Sequence, residues 1–238
     1  MKNKGQEIYN WAKKIFYYNR SITGEGTVKT IKFIQKKLPN LKLKNFKSGK
    51  KVFDWIIPDE WNVKEAYIAD LEGKKLIDFR LNNLHLMGYS TPINKKIKFK
   101  DLIKKLHTIK KMPNAIPYRY SYYSKDWGFC IQYNKLKLFK NKYYKVFIDS
   151  SFKKGNLPYG ELLINGISKK EILLSTYICH PSMGNNEVSG PVLLTALAQY
   201  LRNKKNLYYS YRIIFIPETI GSIAYIHKNI KILKKNVE

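Results

Sequence analysis

The chain has 238 residues, 44% hydrophobic and 14% aromatic, which suits a sizeable packed core and excludes a disordered polymer. Its formal net charge is +28, and no apolar run approaches the roughly 20 residues that span a bilayer. The two cysteines, Cys130 and Cys179, sit in the apolar settings WGFCIQY and STYICHP and make neither a disulfide framework nor a zinc knuckle.

Residues 7–19 and 27–38 read as two amphipathic helices. Ile8, Trp11, Ala12, Ile15 and Phe16, then Val28, Ile31, Ile34 and Leu38, recur at three- and four-residue steps. Between them Ser21-Ile22-Thr23-Gly24 with Gly26 is a turn, and Thr27 is placed to cap the second helix. From 51 to 145 the pattern changes to short β-like runs: VFDWIIP, a hairpin in EAYIADLEGKKLIDF turning at Glu72-Gly73, and WGFCIQY. A lysine-rich helix is expected over 99–110, from Phe99, Leu102, Ile103 and Leu106, with prolines 92, 113 and 117 marking loops around it. This stretch reads as a separate β-rich module with its own cluster of Phe53, Trp55, Trp61 and Trp127.

Beyond it the grammar becomes α/β. YYKVFIDSSF and GELLING read as strands, and EILLSTYIC is a continuous apolar run of the kind buried on both faces of a sheet. A loop and a helix over 187–203 follow, then the buried strand YSYRIIFIP and a helix in GSIAYIHKNI. Strand, loop, helix, strand, loop, helix implies parallel strands with crossover helices. Ligands bind at the carboxyl ends of such strands, and His180 and Glu218 each lie just past one. A histidine and a carboxylate brought together there begin a metal site or an acid/base pair. The plainer alternative makes His180 a capping residue and Glu218 a solvated loop residue. His85, His107 and His227 read as structural or surface residues.

The charge excess is lysine, spread along the whole chain. Arg20, Arg80, Arg119, Arg202 and Arg212 are the only arginines among 45 basic residues, and base readout favours arginine. Nucleic acid is therefore not the expected partner, although a polyanion-binding protein stays open as an alternative.

The segment STYICHPSMGNNEVSGP (175–191) resembles the STYICHPS-(L/M)-ANDN-L-SGP signature of a family of bacterial zinc-aminopeptidase-like proteins. SITGEGTVKT, VFDWIIPDEW, NLHLMGYSTP, IPYRYSYYSKDWGFC, PYGE and RIIFIPETIGSIAY extend the resemblance in the same order nearly end to end. It implies a zinc-exopeptidase-like, phosphorylase/hydrolase-like α/β fold, a mixed sheet with helices on both faces, incomplete at the C-terminus. That domain would comprise 1–50 and 146–238, with an embedded β-rich protein-contact module at 51–145. The resemblance further implies zinc as cofactor, His180 as a metal ligand, and Glu218 as the carboxylate that activates water or binds metal. The family aspartate of the NDN triplet falls on Asn186, a neutral amide, followed by Glu187, which is expected to point away from the site. Further family ligands, including a histidine in a YHTS-like motif, would lie beyond Glu238, so a truncated or degenerate member is expected. The implied activity is hydrolysis of an N-terminal peptide bond or related amide, in a polysaccharide-biosynthesis setting. The alternative is a non-catalytic scaffold that keeps the aminopeptidase shell. MKNKGQEIYNWAKK has no apolar stretch, and a cytoplasmic location without membrane attachment is expected.

Overall fold

The helical spacing near the N-terminus forms α1 (Lys4–Phe16) and α2 (Glu25–Gln35) in the computed structural model, which describes residues 3–238. Strands β1 (Lys42–Lys47), β2 (Lys51–Val52), β3 (Trp55–Ile56), β4 (Glu60–Ala69), β5 (Lys75–Asp78) and β6 (Ile93–Lys98) follow, then the short helix α3 (Phe99–Leu102). After β7 (Leu106–His107), β8 (Phe129–Cys130), β9 (Tyr143–Lys153), β10 (Asn156–Ile164) and β11 (Glu171–Tyr177) come α4 (Ser189–Arg202), β12 (Ser210–Ile216) and α5 (Ile220–Asn236). Two compact units result: the chain up to residue 60 together with residues 154–238, and residues 61–153. The composition change at 51 falls at the start of β2, and the one at 146 falls inside β9.

In the first unit β1, β10, β12 and β11 make a mixed sheet in that order. β10 is antiparallel to both β1 and β12, and β11 is parallel to β12. Alternation along β10 and β12 sorts side chains to two faces. Leu162, Ile213 and Phe215 join Ile31 and Ile34 of α2, Leu38 just beyond it, and Leu194 and Ala198 of α4 in one buried cluster. On the other face Tyr159 meets Tyr225 of α5 edge to face, ring centroids 5.6 Å apart. Helices therefore cover both faces of a mixed sheet. Trp11 and Ile15 of α1 pack on Val188, Val192 and Ala196 of α4 and its approach.

The second unit is built on a sheet ordered β5, β4, β9, β6. The β4–β5 hairpin turns where the sequence places it. Gly73 has a φ of 91°, and Asp70 Oδ1 accepts the amides of Glu72 at 3.1 Å and Lys74 at 2.8 Å. Trp61 stacks on Tyr89 and donates from Nε1 to the Ser90 carbonyl at 3.0 Å. His85 is buried and held through Nδ1 on the Cys130 carbonyl at 2.7 Å.

Several local readings change. The lysine-rich segment keeps one helical turn and a 3₁₀ turn at Ile103–Lys105, after which Leu106 and His107 pair with Phe129 and Cys130 as strands. β9 pairs antiparallel with β6 in the second unit, a long-range pairing that local pattern cannot reveal. Phe53 and Trp55 fall in the first unit and Trp61 and Trp127 in the second. The first two belong to the β2–β3 hairpin of the first unit, where Phe53, at a φ of 53°, meets His227 of α5 edge to face. Thr27 caps no helix: Gly24 holds that position, and the buried Thr27 hydroxyl donates to the Ser21 carbonyl. Among the described residues no helix is long and apolar enough to cross a membrane.

Candidate metal centre

The parallel register of β11 and β12 sets the site. Tyr177 lies opposite Ile216, and the amide of Ile178 still donates to the Ile216 carbonyl at 3.2 Å. His180 and Glu218 then follow within three and two residues of those positions. His180 Nε2 lies 2.9 Å from Glu218 Oε1, with the histidine side chain 6% exposed and the glutamate 34% exposed. The histidine is thus walled by protein while the carboxylate opens to solvent. Burial lowers the His180 pKa, against the opposing pull of Glu218.

Cys179 completes the group. Its Sγ is 4.0 Å from His180 Nε2 and accepts the Glu218 amide at 3.3 Å. Donor atoms of Cys179, His180 and Glu218 all lie within 4.8 Å of one another. Zinc bonds of 2.0–2.3 Å in tetrahedral geometry put ligand atoms roughly 3.3–3.8 Å apart. The 2.9 and 4.0 Å separations straddle that span, so small side-chain shifts fit these residues to the ion. The chain leaves this edge through a Thr219 with a φ of 52°, a costly conformation for a β-branched residue at the start of α5.

Behind the site lies a buried ion pair. Arg20, in the turn between α1 and α2, donates from Nε to the His180 carbonyl at 2.9 Å and from Nη1 to the Ile15 carbonyl. The same Nε is 3.5 Å from Glu187 Oε1, and both side chains are essentially inaccessible. Glycine holds that turn in place: a Cβ on Gly26 would lie 1.9 Å from the Asn19 carbonyl oxygen. Gly190, at the start of α4, plays a matching part, since a Cβ there would meet Thr176 Oγ1 at 2.4 Å. Neither Glu187 oxygen has a hydrogen-bond partner of regular geometry among the described residues. Burial pushes its pKa up to about 7, although the His180 backbone and the Arg20 charge pull the other way.

The structure brings His180 and Glu218 together and leaves Asn186 exposed on a π-helical turn, Gly184–Val188. The Asn186 carbonyl accepts the Tyr177 hydroxyl at 2.7 Å. Glu187 turns inward beneath His180 to Arg20. Sequence reasoning placed Cys179 in an apolar setting, outside any metal or disulfide framework, and passed over Arg20. The signals available were the adjacency of Cys179 to His180 and the rarity of arginine in a lysine-rich chain.

A family model described as a domain of unknown function, DUF4910, matches residues 9–238. A Clostridium acetobutylicum protein, named a polysaccharide biosynthesis protein with an aminopeptidase-like domain, is 48% identical over 225 residues, covering 94% of this chain and 51% of that protein. The chain thus spans about half the length of this curated relative. A crystal structure named for a peptidase of the same organism superposes with a TM-score of 0.94 at 47% identity, over 98% of this chain and 55% of that one. A zinc aminopeptidase from Bacillus subtilis superposes with a TM-score of 0.64 at 12% identity, over 98% and 66% of the two chains, a likeness of fold alone.

Proposed function

Since the chain belongs to the DUF4910 family and has an aminopeptidase-like fold, we propose that it carries a zinc site of aminopeptidase type at the carboxyl edge of β11 and β12. His180 is the metal ligand, and Glu218 is the carboxylate that either takes a water proton or completes the ligand set. The observation that carries this reading is the 2.9 Å approach of a buried imidazole to a partly exposed carboxylate past two adjacent parallel strands. A bound zinc supplies Lewis acidity, lowering the pKa of water toward about 7 and polarising a carbonyl. The protein's own part is to hold the His180 backbone through Arg20 and to leave the Glu218 side open to substrate. The substrate class is a peptide or amide with a free N-terminus, and the relative's name points to polysaccharide biosynthesis as its setting. The second unit is proposed as the protein-contact module.

A second reading, metal binding without rapid turnover, is favoured by Asn186. It is neutral where the signature has aspartate, so it offers an ion no charge compensation. Zinc titration calorimetry with aminoacyl-anilide hydrolysis separates the readings. The wild-type chain should bind one zinc, and His180→Ala should weaken it at least about tenfold. If Glu218→Gln keeps zinc but loses turnover, the carboxylate is the proton acceptor. If it loses zinc, the carboxylate is a ligand. A wild-type chain that binds no zinc sinks the site.

A further inference from the structure

We infer that Cys179 is a third protein donor to the ion, so that a Cys–His–Glu set replaces the carboxylate that Asn186 cannot supply. The inference rests on the metal reading above and narrows it. Three observations carry it.

First, neighbouring side chains on a strand point to opposite faces, yet Cys179 Sγ and His180 Nε2 are only 4.0 Å apart. The alternation has stopped because β11 ends at Tyr177, and the side chains of Cys179 and His180, beyond Ile178, turn toward one volume. Second, all three donor atoms fall within 4.8 Å, which no other three His, Cys, Asp or Glu residues achieve among the described residues. Third, the Cys179 sulfur accepts the Glu218 amide at 3.3 Å. Backbone donors of this kind orient a ligating group and support negative charge on it. The Cys130 thiol, the other cysteine, is buried in the second unit and belongs to no such group.

Three protein donors leave one coordination position open, as in catalytic zinc sites. A thiolate donor also shifts the preference toward thiophilic ions such as zinc, cobalt(II) and cadmium, and away from magnesium and manganese. Coordination requires the thiolate, so the S–H bond breaks, a sulfur–metal bond forms and the proton passes to solvent.

The test is cobalt(II) titration of the 238-residue wild-type chain, followed by optical spectroscopy. The expected result is one cobalt per chain with a sulfur-to-cobalt charge-transfer band in the near ultraviolet. The band should persist in Cys130→Ser and vanish in Cys179→Ser, which should also bind about tenfold or more weakly. The band in the wild-type chain and in Cys130→Ser, which keeps Cys179 as its one thiol, makes the test independent of whether Cys179→Ser folds. One bound cobalt with no sulfur band overturns Cys179 as a ligand and leaves the His180–Glu218 reading standing. No bound cobalt overturns both. A band that survives Cys179→Ser but not Cys130→Ser overturns the assignment as well.

Discussion

Two arginine–glutamate networks with buried carboxylates in the first unit are built differently. Arg212 of β12 grips Glu171 with Nε at 2.6 Å and Nη2 at 2.8 Å, and reaches Glu161 with Nη1 at 2.8 Å. Tyr225 Oη, at 2.5 Å, and Lys44 also serve Glu161, and Asn236 adds a contact to Glu171 at 3.3 Å. Arg20 meets Glu187 only at 3.5 Å, and it directs its hydrogen bonds to backbone carbonyls, one of them His180's. The Arg212 hydrogen bonds hold Glu171 below the usual carboxylate range, whereas burial pushes Glu187 up to about 7. The first network ties strands together and satisfies its carboxylates. The second leaves its carboxylate, immediately behind the candidate metal ligand, with a 3.5 Å ion pair and the backbone of His180 and Cys179 but no side-chain hydrogen bond of regular geometry.

The largest effect should come from breaking the satisfied network. Arg212→Met leaves Glu171 without its cation and Glu161 with Lys44 and Tyr225 alone, and should cost about 3–5 kcal/mol in urea unfolding. A loss under about 1 kcal/mol would erase the contrast between the pairs.

The next effect concerns pH, with opposite signs at the two carboxylates. Glu187 has a folded pKa above its unfolded value, so its contribution to stability is fully present below the ordinary carboxylate pKa. That contribution is lost as pH rises to about 7. Glu187→Gln removes this loss, and its stability relative to wild type should rise by up to about 3 kcal/mol between pH 4.5 and 7. Glu171 has a folded pKa below its unfolded value, so its contribution is present above the carboxylate range and fades as pH falls through the folded value. Glu171→Gln should therefore be destabilising at pH 7 and converge on wild type in acid. Parallel pH profiles for the two variants would refute the distinction.

Much of the first unit was legible in the sequence. The apolar run EILLSTYIC, the helix after it and YSYRIIFIP form a parallel pair with a crossover helix because each local pattern is strong and the connection short. His180 and Glu218 could be placed for the same reason: both follow directly on a strand end. The β4–β5 hairpin was readable from its Gly73 turn. The partner of β9 was not, because pairing with β6 joins residues some 50 positions apart, such as Ile93 and Ile148, and leaves no local mark. Arg20 and Glu187 were illegible for a different reason. Each is an ordinary surface residue type by composition, and only tertiary packing encloses them together.

A smaller effect is expected at Arg20. Arg20→Met removes the donors to His180 and Ile15, but Glu187, already near its pKa at neutral pH, can take a proton in place of its lost partner. The stability loss should be about 1–3 kcal/mol. Zinc affinity should fall about 10–100-fold, because the His180 backbone is no longer pinned. A stability loss equal to that of Arg212→Met would mean that the two pairs do the same structural work.

One metal ion between His180 and Glu218, at the carboxyl edge of β11 and β12, should be visible in anomalous diffraction at the zinc edge from crystals of the chain soaked in zinc. The expected result is a single strong peak within coordination distance of His180 Nε2, flanked by Glu218. A fully zinc-exposed crystal with no peak there, or with its principal peak elsewhere, would rule the site out.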